Sequence, residues 1–309
     1  MKIVFLDAET LGKDVSFSQL EGLGNLVCYP HTSPEQIIER VADAQVIIVN
    51  KVVLGKPEID AATSLKLICV AATGTNNIDV KYADSKGIPV KNVSGYSTES
   101  VAQITFSHML NLVNHSSFFD SLVKSGAYSK SRHFTNTDRS FFEFKGKSLG
   151  IIGMGTIGQR VAQIAEVFGM KISYYPTSGV PHCKRYPAVT LDELLTKSDI
   201  ITIHAPLNEK TKNLITLEEL KLMKTDGYII NMGRGGIINE SDLAKALDFD
   251  LIAGAAMDVF EKEPVPADHP FLNLKNPEKI IFTPHIAWAS REARKVLLQK
   301  IADNINDAI

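Results

Sequence analysis

Three glycines, Gly153, Gly155 and Gly158, close the apolar run Ser148–Ile152 and open TIGQRVAQIAEVF, which stops at Gly169. A G-x-G-x-x-G between a strand and a helix constrains a chain more than any other feature here, because it demands a strand–turn–helix unit of a parallel sheet. Gly153 permits the tight turn, Gly155 lets a pyrophosphate approach the backbone, and Gly158 lets the helix pack close to the strand. The helix start offers free N–H groups and the positive dipole end to phosphates. The segment Gly153, Met154, Gly155, Thr156, Ile157, Gly158 is therefore read as a dinucleotide-binding loop.

The rest of the chain alternates in the same way. KIVFLD, NLVCYP, QVIIVN, LKLICVAA and IPVKNV read as strands, with helical segments between them. Ser33, Pro34 and Gln36 form a capping box with proline at the first helical position. A second series has strands SLGIIG, KISYY, DIITIHA, GYIINMG, LIAGAAMDV and KIIFTPH, and capping boxes at Thr190/Glu193 and Thr216/Glu219. Between the series, STESVAQITFSHMLNLVNH reads as one long helix, apolar over most of its surface and so buried between layers or subunits. The polar stretch KSGAYSKSRHFTNTDRS reads as surface loop, and REARKVLLQKIADNINDAI as a closing amphipathic helix. Repeated strand–helix alternation predicts an α/β chain of two doubly wound parallel-sheet domains, Rossmann- or flavodoxin-like.

Composition narrows the class. With 44% hydrophobic and 22% charged residues the chain reads as a soluble globular protein, and a net charge of -2 argues against nucleic acid or anionic membrane as partner. MKIVFLDAET lacks a secretory pattern, and no apolar run approaches the roughly 18–20 residues of a membrane span. Cys28, Cys69 and Cys183 are scattered without metal spacing, as expected of reduced thiols in a cytoplasm. No histidine spacing suggests a metal site.

After the second strand of the nucleotide series, a site for NAD generally carries an acid for the ribose hydroxyls. Here the segment is Tyr174-Tyr175-Pro176-Thr177-Ser178-Gly179, without a carboxylate. Nothing there repels the 2′-phosphate of NADP; Lys184 and Arg185 follow and read as solvated loop charges rather than as partners of that phosphate. The expectation is an enzyme that uses NAD(H) and discriminates weakly against NADP(H).

Three further segments sit after strands: Asn231-Met-Gly-Arg234-Gly235-Gly236, then Asp258-Val-Phe-Glu261-Lys-Glu263-Pro264, then Thr283-Pro284-His285-Ile286-Ala287-Trp288. In open α/β sheets ligands bind beyond the carboxyl ends of strands, so all three fall on the edge of the glycine loop. In this order, and with Thr73-Gly74-Thr75-Asn76-Asn77-Ile78-Asp79 in the first series, the chain resembles the D-isomer-specific 2-hydroxyacid dehydrogenases along essentially its whole length. Ala287-Trp288-Ala289 resembles the glycerate dehydrogenase/hydroxypyruvate reductase branch.

The chemistry explains the residue types. Reduction of a 2-keto acid needs a proton donor near neutral pH, which suits His285. It needs a carboxylate to favour and orient the imidazolium, which suits Glu263. It needs a forked cation to hold the substrate carboxylate and polarise the carbonyl, which suits Arg234. The resemblance implies that backbone N–H groups of Thr73 and Gly74 bind the substrate carboxylate, and that Tyr175, His204, Ala205, Pro206, Thr211, Met232, Gly233, Asp258 and Ala287 line the cofactor. Trp288 reads either as a wall of the substrate pocket, favouring hydroxypyruvate or glyoxylate, or as packing.

The resemblance further implies a substrate domain of residues 1–97 plus 287–309, a dinucleotide domain of residues 98–286, an active site in the cleft between them, and a homodimer. A phosphoglycerate dehydrogenase is the nearest rival enzyme. Against it, only 24 residues follow His285, too few for a regulatory domain, and no extra cation is evident beside the Thr73 loop. Phosphite or formate oxidation is more remote. A corepressor-like nucleotide sensor is the alternative of a different class.

Overall fold

Every run read as a strand forms one, and every pairing is parallel. A computed structural model describes residues 1–309. Its strands are β1 Lys2–Phe5, β2 Asn25–Cys28, β3 Val46–Val49, β4 Leu67–Val70, β5 Val90–Lys91, β6 Ser148–Ile152, β7 Lys171–Tyr175, β8 Ile200–Ile203, β9 Tyr228–Asn231, β10 Gly254–Met257 and β11 Ile280–Phe282. Its α-helices are α1 Ser18–Glu21, α2 Pro34–Val41, α3 Lys56–Ala61, α4 Val80–Ser85, α5 Thr98–Asn114, α6 Ser116–Lys124, α7 Thr156–Val167, α8 Leu191–Lys197, α9 Leu217–Leu222, α10 Glu240–Asp248 and α11 Arg291–Ala308. The chain divides into two compact units, Met1–Ser97 with Trp288–Ile309, and Thr98–Ala287.

The first unit has a five-stranded sheet, β2-β1-β3-β4-β5. VIIV of β3 and LICV of β4 are buried throughout, because helices cover both faces. One of those helices comes from the far end of the chain. Leu297, Leu298, Ile301 and Ile305 of α11 share a core with Ile3, Phe5 and Ile48. Each such side chain contributes about 1.5–3 kcal/mol by burial. Arg294 of α11 is nearly buried and grips Asp14 by two hydrogen bonds, 2.5 and 2.9 Å long.

The second unit has a six-stranded sheet, β11-β10-β9-β8-β6-β7. Its first strand, β6, lies between β7 and β8, so successive crossovers leave in opposite directions there. That switch point opens a crevice at the carboxyl end of the sheet, where the glycine loop begins. Beyond β7 a single bridge from Ala188 to Tyr174 is all that extends the sheet.

One local expectation, a capping box, needs correction. The long apolar helix ends at Asn114, within a residue of its expected end; His115 takes φ 50°, and a further helix, α6, left unassigned in the sequence, follows at once. Nine residues of α5, among them Phe106, Met109 and Leu112, are buried within their own unit, whereas α6 buries none. The capping boxes at Ser33/Gln36 and Thr216/Glu219 form in full. At Thr190 only half forms: the hydroxyl accepts the Glu193 N–H, but the Glu193 carboxylate pairs with Lys197. A lysine one turn on competes for the carboxylate that would otherwise reach back. No helix is long and apolar enough to cross a membrane.

Candidate active site

The strands of the second unit end in register. Ile152 pairs with Ile203, Ile203 with Asn231, Asn231 with Met257, and Met257 with Phe282. The next residue of each strand, Gly153, His204, Met232, Asp258 and Thr283, therefore forms one row along the carboxyl edge. The ladder runs one step into that row: His204 N donates to Ile152 O at 2.8 Å, Met232 N to Ile203 O at 3.1 Å, and Asp258 N to Asn231 O at 3.1 Å. Every chemical segment singled out in this unit starts from this row.

At its left end the glycine loop has the expected backbone. Gly153 adopts φ 92°, and a Cβ there would lie 2.9 Å from Ala205 N. A Cβ on Gly158 would lie 2.3 Å from Gly153 O, so the helix start sits directly on the turn. Gly155 caps α7, and a Cβ on it would meet nothing within 4 Å. Open ground thus lies before the first turn of α7, where the N–H groups of Thr156 and Ile157 begin the helix. A pyrophosphate fits that cradle by charge and by shape.

His204 and Ala205 border the same turn, and both ring nitrogens of His204 are buried without a hydrogen-bond partner. Burial pulls the imidazole down to about 3, so it is neutral at physiological pH. A buried orphan of this kind beside the loop is consistent with a group that completes its bonds to a bound cofactor. Thr211, expected to line the cofactor, ties its own loop together. Its hydroxyl donates to Pro206 O at 2.6 Å and accepts Asn208 N at 2.9 Å. It can offer a cofactor the shape of the loop but not a free hydroxyl.

At the end of β7, Tyr175 packs into the core and Ser178 closes a local turn with Val180. Arg185 does not face this corner, because it pairs with Glu166 near the far end of α7. The cation that arrives is Lys210, whose Nζ reaches Ser178 O at 3.5 Å from the loop after β8.

Arg234 follows β9 and is half-buried. Asn231, fully buried, stitches its turn: Asn231 Nδ2 donates to Arg234 O at 2.9 Å, and Gly233 N donates to Asn231 Oδ1 at 3.0 Å. Arg234 Nη1 donates to Gly233 O at 2.8 Å, which holds one edge of the guanidinium on the loop and leaves the rest of the fork for an anion. Gly233 itself packs on Ala205, where a Cβ would lie 2.7 Å from Ala205 O.

His285 and Glu263 meet. His285 Nδ1 lies 2.7 Å from Glu263 Oε2, and Phe260 N donates to Glu263 Oε1 at 2.9 Å. His285 takes φ 54°, a conformation rare for non-glycine residues, and its N–H donates to Asp258 O at 2.8 Å. Asp258, 1% exposed, holds the whole turn. Its Oδ1 accepts Thr283 Oγ1 at 2.6 Å and Ile286 N at 2.9 Å, and its Oδ2 accepts Ala287 N at 3.0 Å. Asp258, expected to line the cofactor, thus also braces the loop that carries His285. Behind it, the buried His108 of α5 lies 3.1 Å from Thr283 Oγ1. The Thr283 proton goes to Asp258, so His108 Nε2 is the donor, and burial lowers its basicity.

In the first unit, Thr73 and Gly74 follow β4. Asn92 Nδ2 donates to Thr73 O at 2.6 Å and Thr73 Oγ1 to Val93 O at 3.0 Å, while the N–H groups of both residues donate to no protein acceptor. The adjoining loop carries Lys51, whose N–H is held by Asp7 at 2.6 Å. Asn77 Nδ2 donates to Val52 O at 2.8 Å and ties the two loops together. The backbones of the two loops are thus adjacent, because pairing of β3 with β4 aligns residues that are distant in sequence. Trp288 packs on Tyr96, ring centroids 6.3 Å apart, against the core of that unit.

Residues 106–287 match the model of the D-isomer specific 2-hydroxyacid dehydrogenase NAD binding domain. A hydroxypyruvate reductase from Blautia hydrogenotrophica is 36% identical over 99% of this chain and 96% of its own length. A glycerate dehydrogenase from Methylorubrum extorquens is 37% identical over 98% and 95%. Among solved structures, an acyclic imino acid reductase in complex with NADPH and D-Arg superposes with a TM-score of 0.87 at 29% identity, over 99% of this chain and 96% of that one. A D-lactate dehydrogenase from Aquifex aeolicus complexed with NAD and lactic acid gives 0.84 at 29% identity, over 98% and 94%.

Proposed function

Because the chain belongs to the D-isomer specific 2-hydroxyacid dehydrogenase family of NAD(P)-dependent oxidoreductases, we propose that it reduces hydroxypyruvate or glyoxylate to D-glycerate or glycolate. The observation that carries this reading is the 2.7 Å contact of His285 with Glu263 on the sheet edge that bears the glycine loop.

NAD(P)H, when bound, supplies a hydride to the keto carbon. Gly153–Gly158 hold its pyrophosphate, and His204, Ala205, Pro206, Met232, Gly233 and Ala287 shape its bed. Arg234 takes the substrate carboxylate and polarises the keto oxygen. His285 gives the proton from Nε2, since Nδ1 is engaged by Glu263. Glu263 stabilises the imidazolium and holds the ring in plane. Thr73 and Gly74 offer their N–H groups to a substrate carboxylate. Trp288 limits substrate bulk, so Trp288→Ala should change kcat/KM for hydroxypyruvate relative to bulkier keto acids.

The test is a panel of 2-keto acids, phosphorylated hydroxypyruvate included, with NADH and NADPH. Hydroxypyruvate and glyoxylate should head the order. A preference for the phosphorylated acid would favour the phosphoglycerate dehydrogenase reading. Absence of turnover with every acid would favour a nucleotide-sensing binding protein.

The chain is further proposed to work as a homodimer in the cytoplasm. The support for a dimer lies in α6, which buries nothing, and in Phe134 and Phe141, 92% and 62% exposed just beyond it. Sedimentation showing only monomer at micromolar concentration would reject it. The three free cysteines suit a reducing compartment.

A further inference from the structure

The loop that carries Glu263 is held from within by a second carboxylate–histidine pair. Glu240 opens α10 and His269 follows the loop, and they are 6% and 7% exposed. His269 Nε2 lies 2.7 Å from Glu240 Oε2. Phe271 N donates to His269 Nδ1 at 3.3 Å, so Nδ1 is the acceptor and Nε2 carries the proton given to Glu240. The other oxygen, Glu240 Oε1, accepts the N–H of Glu261 at 2.7 Å. One residue earlier, the N–H of Phe260 donates to Glu263.

Successive amides of one loop are therefore aimed at two carboxylates, the buried one and the one that holds His285. The peptide between them also presses on Gly235. A Cβ there would lie 1.9 Å from Phe260 C and 2.3 Å from Glu261 N. Gly235 is the residue after Arg234. The Phe260–Glu261 peptide thus touches the backbone beside Arg234 on one side and orients Glu263 on the other. An apolar side chain at position 240 would fill the space without the cost of burying a charge, but it could not fix the direction of an N–H.

We propose that Glu240 and His269 are positioning residues. They fix the Phe260–Glu261 peptide and, through it, the placement of Arg234 relative to the Glu263–His285 pair. This rests on the catalytic roles proposed above.

Glu240→Gln keeps the shape and breaks one link. If its oxygen faces Glu261 N–H, its amide hydrogens meet the His269 N–H, and if it turns over, the Glu261 bond is lost. Wild type, Glu240→Gln, Glu263→Gln and the double variant are to be compared with hydroxypyruvate and NADH. Glu240→Gln should lower kcat by about 10- to 100-fold, as a small misplacement of reacting groups does. The Kd for NADH should stay within about twofold, since no cofactor contact is removed. The loss in the double variant should fall well short of the product of the single losses. A near-normal kcat in folded Glu240→Gln, or losses that multiply, would overturn the positioning role. If Glu240→Gln does not fold, His269→Gln, which keeps the carboxylate, enters the same cycle with the same expectations. An unaltered kcat in Glu263→Gln overturns the catalytic roles and the positioning role with them. Loss in Glu263→Gln without loss in the other variants overturns the positioning role alone.

Discussion

The imidazole of His285 and the carboxylate of Glu263 are in hydrogen-bond contact at 2.7 Å across 22 residues of chain, each delivered by a different strand of one parallel sheet. Neither side chain is deeply buried, so the pair can meet a ligand. His285→Ala should reduce kcat by about 100- to 10,000-fold, the range usual for a general acid, with the Kd for NADH retained. Steady-state kinetics and cofactor titration would show it, and near-normal turnover would sink the assignment.

Arg234 makes a different prediction because it serves binding and chemistry together. Arg234→Ala should raise KM and lower kcat in the same variant. A change in KM alone would mean that it only anchors the substrate.

Thr283 links two buried groups, accepting from His108 and donating to Asp258. Thr283→Val keeps the volume and leaves both without that partner. The expected cost is about 1–3 kcal/mol, the penalty for unsatisfied buried polar atoms. Chemical denaturation measures it, and an unchanged midpoint would show that the two groups find other partners.

The elements that built this site were readable to different depths. The strands were, because helices on both faces make them continuous apolar runs such as VIIV and IITI. Arg234, Glu263 and His285 were readable as types in an ordered pattern. The brace behind them was not. His108 and Thr283 lie 175 residues apart, and nothing in a mostly apolar helix marks one histidine as facing a strand end. The end of α5 at His115 was readable, but the short helix α6 after it was not, because the left-handed turn that separates the two shows only in the backbone. Lys210 was not singled out, because only cations near in sequence, Lys184 and Arg185, were weighed, and proximity across the switch point does not show in the sequence.

His204 gives a pH dependence. Its folded value of about 3 lies below the ordinary 6.5, so between those values the unfolded chain binds a proton that the folded chain refuses. Its contribution is complete above pH 6.5 and is lost as pH falls below it, at no more than about 1.4 kcal/mol per pH unit. Denaturation midpoints without added cofactor at pH 7.5 and 5.5, compared with His204→Asn, should show a shallower slope in the variant. Equal slopes would refute it.

Lys210 bears on cofactor choice. Lys210→Glu places a carboxylate in the corner of Ser178. It should lower kcat/KM for NADPH by about tenfold or more through repulsion of the 2′-phosphate and change that for NADH far less. An equal loss with both cofactors would place Lys210 elsewhere in function.

The two ends of this sheet differ in how freely they can drift in evolution. At Gly235 no side chain fits, because the Phe260 carbonyl carbon already occupies the place of a Cβ, so descendants of this chain must inherit that glycine or lose the trio together. At β7 only Ala188 continues the sheet, and the side chains of Thr177 and Val180 lie outside it with little resting on them. Mutations can accumulate at those two positions at small cost to folding. A lineage carrying this fold can therefore exchange one nicotinamide currency for the other as its host's metabolism changes, while the reaction itself stays locked.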